Sequence, residues 1–525
     1  MNKGYLAIVL HAHLPYVRHP EHERSLEERW FLEAMTESYI PLLKMFSSLL
    51  ADGVDFGVTM SLSPTLLSMM KDPFLQDRYA RHLEQLVELA AREVERTKDQ
   101  PQINRLARMY LEMFEGVERT FAAECKRDIT GALGQLFESG RVELATTAAT
   151  HAYLPLVDPD GPGVRAQVRQ GVRYFEECFG VRPRGFWLPE CGYVEGLEKV
   201  LADEGIQYFI LEHHGLTLGA PYPRAGTFNP VRTPAGVYAF GRDQETAKQV
   251  WSATEGYPGD YDYRDFYRDI GFDLDDSYIR PYVHGDLRVH TGIKYHRITG
   301  PHDYKELYDP DRAVMRAREH ADNFVFNRRH QIGYWSARLP NPPLIVAPYD
   351  AELFGHWWFE GPWFLDLVFR KIDRERDTVE TTTLSRYLEA YPDCEEVEPS
   401  GSSWGYKGYN EVWLNGTNDW VYPHLHQAAR RMVRLVRSHA GAPDYVKRAL
   451  TQAARELVLA QASDWPFIMH SGTQVGYAHQ RFVKHMGRFL RLTAMIETGA
   501  VDSAFVDAAG AHDNIFPSLD VSIFS

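Results

Sequence analysis

Asp350, Glu352, His356, Trp357, Trp358 and Glu360 fall within eleven residues, directly after the apolar run Leu344-Ile345-Val346-Ala347. Four apolar residues in a row suit a strand buried on both faces, and Pro348 should end its ladder. A strand that ends in carboxylates and aromatics is how an α/β barrel builds the rim of an active site. Carboxylate beside indole suits sugar chemistry: the acid works on the glycosidic oxygen, and the flat ring covers the apolar face of a pyranose. A second acid, Glu190, follows another strand–Pro step, Gly185-Phe186-Trp187-Leu188-Pro189. Two carboxylates on one rim are what glycosidic cleavage requires, one at the anomeric carbon and one protonating the leaving oxygen. The plainer alternative for each is a helix cap or an arginine partner.

His11 and His13 stand at the end of the apolar run Tyr5–Leu10, and His151 follows the run Val142–Thr146. An H-x-H pair at a barrel rim suits either metal ligation or hydrogen bonding to sugar hydroxyls and catalytic carboxylates. Arg242 follows the run Val237–Phe240. Trp251, Trp357, Trp404 and Trp413 lie beside polar or Gly-rich segments, where an indole either stacks on sugar or packs into the core. Asp464, in Asp464-Trp465-Pro466-Phe467, interrupts a helical region and either reaches the cleft or caps the next helix. No phosphate-binding glycine loop, dinucleotide fingerprint or G-x-S-x-G elbow occurs, so nucleotide and serine-hydrolase chemistry have no support.

The elements needed to position these groups are legible as short apolar runs at Tyr5–Leu10, Phe56–Met60, Val142–Thr146, Gly185–Leu188, Gln207–Leu211, Val237–Phe240, Leu344–Ala347 and Val379–Thr383. Helical spacing over residues 28–50 separates the first two, a strand–helix–strand opening typical of a parallel α/β array. Residues 68–140 carry only helical periodicity, with Tyr79, Leu83, Leu86, Val87, Ala90 and Val94 at three- and four-residue steps. They read as a helical insertion. Residues 244–300 read as a long irregular region of the kind that shapes substrate sites. The Ser400–Gly405 stretch reads as flexible and introduces a C-terminal set of amphipathic helices at 424–439, 444–462 and 474–498.

At 525 residues the chain exceeds one ordinary core, so two or three units are expected. Lys and Arg number 57 against 72 Asp and Glu, a net charge of −15. Such a chain repels polyphosphate, which makes nucleic acid an unsuitable partner and leaves neutral polymers open. Four scattered cysteines form no C-x-x-C pair and fit a reducing compartment. The N-terminus has no signal-peptide pattern and no run of 18 apolar residues exists, so the cytoplasm is the expected location.

Five motifs in order resemble glycoside hydrolase family 57: His11-Ala12-His13-Leu14-Pro15, Gly57-Val58-Thr59-Met60-Ser61, Trp187-Leu188-Pro189-Glu190, Ala347 to Trp357, and Asp464-Trp465-Pro466-Phe467. The resemblance spans nearly the whole chain and is greatest to the family's 1,4-α-glucan branching enzymes and α-amylase-like proteins. It implies a (β/α)7 barrel over residues 1–67 and 141–395, a helical insertion at 68–140, and a C-terminal all-helical domain at 396–525 that completes the cleft. It implies a retaining mechanism with Glu190 as nucleophile and Asp350 as general acid/base, and no cofactor or metal. His11, His13, His151, Tyr222, Arg242, Trp251, His356, Trp357, Trp404, Trp413 and Asp464 are the implied substrate-binding set. Tyr222 belongs to it through the segment Gly215–Asn229, which matches a cleft-covering loop of the branching enzymes. The expected activity is α-1,4-glucan branching in glycogen or α-glucan metabolism, by a monomer or weak homo-oligomer acting on amylose, glycogen or maltooligosaccharides. The alternatives are an endo-acting α-1,4-glucan hydrolase, a metal-dependent hydrolase or deacetylase using His11, His13, His151 and Asp350, and a non-catalytic glucan-binding module.

Overall fold

A computed structural model describes residues 3–157, 161–251, 255–283 and 287–525. Ser252 and Ala253, which flank Trp251, and the first two residues of the N-terminus lie outside them. Among the described residues nine strands run in chain order: β1 Gly4–Ala12, β2 Val58–Leu62, β3 Val142–Thr147, β4 Gly185–Trp187, β5 Tyr208–Leu211, β6 Val231–Arg232, β7 Tyr238–Gly241, β8 Leu344–Asp350 and β9 Val379–Thr381. Seven of them form one parallel array, β7-β5-β4-β3-β2-β1-β8. β6 pairs antiparallel with β7 and was too short to be legible as an apolar run, while β9 lies beside the first residues of β1.

The array closes without a last ladder. Asp243 N–H, just past β7, donates to Val346 O at 2.9 Å, and Leu344 N–H donates to Phe228 O at 2.8 Å. This closure explains a departure from the sequence reading. Pro348 does not end the strand; β8 continues through it, with Val9 opposite Pro348 and His11 opposite Asp350. Backbone groups alternate sides along a strand, so Pro348 faces the same way as Leu344 and Val346, away from β1. Its missing N–H therefore removes no bond from the β1–β8 ladder.

Although the barrel strands are buried along nearly all their length, the two-residue period still sorts their side chains. Ala7, Val9, Tyr208, Ile210, Phe240, Leu344 and Val346 share the lumen cluster. Continuing those columns by two residues, or by four in β8, brings His11, Glu212, Arg242 and Asp350 to the lumen mouth. The alternate residues Leu6, Ile8, Leu10, Ile345, Ala347 and Tyr349 pack outward against helices. Leu384, Tyr387 and Leu388 plug the opposite end.

Residues 28–51 form a helix, as expected, but with a π-helical turn at Met35–Tyr39. Between β2 and β3 the chain is helical: Pro64–Lys71, Pro73–Arg96, Pro101–Arg119 and Ile129–Glu138. Proline opens three of these helices, where its missing N–H costs nothing. Asp72 caps the second by accepting from Phe74 and Leu75 N–H. The expected buried face is present, with Tyr79, Leu83, Leu86 and Ala90 in the core.

The C-terminal helices are Val421–Ser438, Asp444–Ala460, Asp464–Ser471, Val475–Thr498 and Ser503–His512. The segment before them is not flexible, contrary to expectation. Ser402 and Ser403 are buried, Ser402 bridges Tyr193, and Trp404 N–H donates to Glu190 O at 3.0 Å. Its small residues permit close approach to the barrel rather than freedom: a Cβ on Gly405 would lie 2.7 Å from the Trp413 ring. Among the described residues no helix is long and apolar enough to cross a membrane.

Candidate active site

A cavity of about 1170 Å³ opens at the C-terminal end of the parallel strands. Nine of the eleven residues that were expected to bind substrate line it: His11, His13, His151, Arg242, Trp251, Trp357, Trp404, Trp413 and Asp464, together with both Glu190 and Asp350. β4 and β8 are separated by β3, β2 and β1, so only a closed, curved array lets their ends face one cavity.

Glu190 sits in a tight turn after β4 with φ 60° and ψ 23°, and Cys191 follows at φ 51°. A non-glycine residue in this left-handed region costs on the order of 1 kcal/mol. The turn is held by Cys191 N–H to Leu188 O (2.8 Å) and Gly192 N–H to Pro189 O (2.9 Å). The result aims the carboxylate into the cavity, a use of strain common at active sites. Trp404 Nε1–H donates to Glu190 Oε2 at 2.7 Å, and His151 Nδ1 lies 3.9 Å from Oε1. Burial raises the Glu190 carboxyl to about 7, against the opposing pull of the Trp404 hydrogen bond and of His13.

Asp350 ends β8. Burial pushes its carboxyl well above the ordinary range, the charges of Glu352 and Glu190 push it further, and Arg242 opposes them. Arg242 is itself paired with Glu212 at 3.0 Å and lies over the Trp404 ring at 5.4 Å. The Glu190 charge thus opposes ionisation of Asp350, the relation by which one of two neighbouring acids keeps a proton that the other has lost.

The histidines form a stack rather than a ligand set. His13 lies on His151 at 3.8 Å between ring centres, and His11 lies on Trp187 at 4.6 Å. His11 Nε2 and His151 Nε2 share a hydrogen bond of 2.9 Å, and His13 Nε2 meets Asp464 Oδ1 at 3.2 Å. Ser61 and Ser463 take the remaining nitrogens of His11 and His151. Burial holds both these rings neutral. Five of the six ring nitrogens are thus committed to one another or to neighbouring side chains, and His13 Nδ1 alone of the six is buried without a protein partner. His151 also has φ 54°, a second strained backbone at the rim.

The tryptophans divide by exposure. Trp357 is 57% exposed and stacks on Phe266 at 4.7 Å, leaving its other face to the cleft. Trp413 is buried and stacks on Tyr153 at 4.3 Å, so it serves as a wall. Trp251 meets Trp404 edge to face.

Two expected residues do not line the cavity. His356 turns away and pairs with Glu37 at 2.7 Å. Burial alone would raise Glu37, but the His356 bond and charge, with Arg264 and Lys294, hold it at about 2. Tyr222 is 69% exposed, because its segment is tied outward to residues 395–398: Ala220 bridges Glu398 and Arg224 N–H donates to Glu395. Lining residues absent from the expected set include Glu352, Tyr261, Phe266, Tyr267, Lys305 and Phe467. The cluster after Leu344–Ala347 includes Glu352, and the Tyr-rich composition of 244–300 and the motif around Asp464 signalled some of the others.

A closed seven-stranded α/β barrel with paired, burial-shifted carboxyls in an aromatic cleft defines an enzyme site. The sequence model described as glycosyl hydrolase family 57 matches residues 7–399, and the chain belongs to that family. A second model, described as 1,4-alpha-glucan branching enzyme, C-terminal, matches residues 424–524. A 1,4-alpha-glucan branching enzyme of Thermococcus kodakarensis is 33% identical, over 98% of this chain and 77% of its own. Among solved structures, an alpha-amylase of Thermotoga maritima is 42% identical, with TM-score 0.93 over 99% of both chains. A branching enzyme of the family from Pyrococcus horikoshii is 33% identical, with TM-score 0.89 over 100% of this chain and 97% of that one.

Proposed function

We propose that the protein is a retaining 1,4-α-glucan branching enzyme. The observation that carries the reading is the pair Glu190 and Asp350, brought from opposite arcs of the barrel into one aromatic cavity and electrostatically coupled. The ionised Glu190 carboxylate attacks C1 of an α-1,4-linked glucosyl unit while Asp350 passes its proton to the departing O4. The glycosyl ester on Glu190 is then attacked at C1 by a sugar 6-OH, whose proton returns to Asp350. The new α-1,6 bond forms as the ester bond breaks. His11, His13, His151 and Asp464 supply hydrogen bonds to the sugar in the cleaved position, and Trp357 supplies a stacking face.

In this reading residues 1–67 and 141–395 are the catalytic barrel, 68–140 its insertion, and 396–525 the unit that completes the cleft. The substrate is amylose, glycogen or a related α-glucan of the cytoplasm. The C-terminal match to branching enzymes favours transfer to a sugar hydroxyl. Hydrolysis is the second reading, favoured by the position of Tyr222 outside the cavity, which leaves the cleft without that cover, and by the amylase likeness.

Incubation with amylose separates the two: new α-1,6 linkages support branching, and reducing ends alone support hydrolysis. Glu190→Gln is expected to lower turnover by at least about 10⁴-fold with an unchanged thermal unfolding curve. Near-normal activity would remove Glu190 from the mechanism.

A further inference from the structure

Glu352 lines the cavity two residues beyond Asp350, yet the mechanism above gives it no task. It is 8% exposed and forms no ion pair among the described residues. Its Oε1 accepts two neutral donors, the Tyr39 O–H and the His13 N–H at 3.1 Å. Tyr39 closes the π-helical turn Met35–Tyr39, and that turn grips the catalytic segment at successive residues. Ser38 Oγ accepts His356 N–H at 3.1 Å and donates to Glu352 O at 3.4 Å. Glu37 pairs with His356, and the Glu37 carbonyl fills the place a Cβ on Gly355 would take, 1.8 Å from it. The extra residue of a π-turn shifts register by one, so Glu37, Ser38 and Tyr39 all reach one segment, an arrangement frequent at functional sites.

We propose that Glu352 is a positioning residue for Asp350: clamped by the π-turn, it presents a fixed carboxylate that keeps the proton on Asp350 until the leaving oxygen takes it. Among the described residues no cation is paired with the Glu352 carboxylate to screen it, so when ionised its charge acts strongly on its neighbour in a buried site. The other groups acting on Asp350 are Glu190 from the β4 turn and Arg242 after β7; Tyr39 and Cys191 face it un-ionised. Burial raises Glu352 itself, and the Tyr39 bond, backbone donors and His13 oppose the rise. The proposal rests on Asp350 as the acid/base.

The test is the pH dependence of kcat/KM for maltoheptaose with Glu352→Gln, which keeps the shape and removes the charge. The alkaline limb is expected to move down by on the order of one pH unit, with the acidic limb and KM little changed. On a 4-nitrophenyl maltooligosaccharide, whose leaving group needs no proton, the first-turnover burst should keep the wild-type rate. An unmoved alkaline limb, or a burst slowed as much as maltoheptaose turnover, overturns the proposal. Tyr39→Phe, which lets Glu352 compete for the proton, should move the same limb down by less and serves if Glu352→Gln does not fold. Asp350→Asn separates the two levels of inference. If it is inactive while the Glu352→Gln profile is unchanged, only the role of Glu352 fails. If Asp350→Asn retains near-normal turnover, the proposed function fails with it.

Discussion

Under the proposed mechanism Glu190 must be ionised to attack, yet burial lifts its carboxyl to about 7. The Trp404 hydrogen bond is the largest influence working against that lift, and it comes from a segment more than 200 positions away. Under the proposed mechanism the acidic limb of the pH–rate profile reports Glu190, and the alkaline limb reports Asp350. Trp404→Phe keeps an aromatic wall and removes the donor, so the Glu190 carboxyl rises further and less of it is ionised below neutrality. The acidic limb of kcat/KM is expected to move up by roughly one unit, the worth of a hydrogen bond to a charged group. A pH titration of maltoheptaose turnover checks this; an unmoved limb would mean water replaces the indole N–H at no cost. At this scale the sequence reads well where a strand delivers the residue. His11, Arg242 and Asp350 follow apolar runs, and two-residue alternation carries them to the lumen mouth. It reads poorly for Tyr222 and His356, whose directions depend on partners at Glu395, Glu398 and Glu37 that no local pattern discloses.

The π-turn is the element on which the catalytic segment leans. Apolar spacing over residues 28–50 announces a helix, but an i→i+5 turn leaves that spacing nearly intact and stays hidden until its partner is seen. Gly355 is the point of closest approach, with φ +115° and no room for a Cβ against Glu37 O. Gly355→Ala is expected to destabilise the protein by more than about 2 kcal/mol, from the backbone conformation and the clash together. Activity should fall with it as the 350–358 segment is displaced. Urea unfolding measures the first effect and maltoheptaose turnover the second. Gly333→Ala is the matched control. That glycine lies inside the helix Pro310–Ser336 with nothing within 4 Å of its missing Cβ, so the change should stabilise by about 0.5–1 kcal/mol.

Across the whole molecule, one apolar cluster runs without a break from β1 and the 68–140 helices into the C-terminal helices. A polar seam locks the join. Arg18 donates to Asp72 (2.9 Å) and to the carbonyls of Ala511 (2.7 Å) and His512 (3.1 Å), and Arg481 donates to Tyr16 O at 3.1 Å. Deeper in the C-terminal helices, His485 meets Glu456 at 2.7 Å and Arg488 pairs with Asp513. Tyr16 and Arg18 lie only a few residues past His11 and His13, so the seam fixes the first rim histidines relative to Asp464. Arg18→Ala removes the counter-charge of Asp72, which keeps its bonds from Phe74, Leu75 and Asn514, and the donor to two carbonyls, and is expected to cost about 2 kcal/mol in urea unfolding. Because the core is shared, thermal unfolding followed by tryptophan fluorescence and by far-UV circular dichroism should still show one coincident transition. Two separated transitions would mean that the C-terminal helices fold as an independent body.

The seven barrel strands, legible as apolar runs, and the strand-end positions of Glu190 and Asp350 follow from local chemistry that acts over a few positions, and the sequence alone determined them; the two-residue β6 and the sorting of lumen-facing from outward columns did not show there. Closure of the array across Pro348, the conversion of Ser400–Gly405 from apparent linker to cleft wall, and the sorting of Trp413 into wall and Trp357 into exposed face are tertiary decisions. Each depends on what a distant segment places opposite: Val346 for Asp243, Glu190 for Trp404, Tyr153 for Trp413. Burial is a property of the pair in space, so the upward shifts of the Glu190 and Asp350 carboxyls likewise depend on the barrel closing around them.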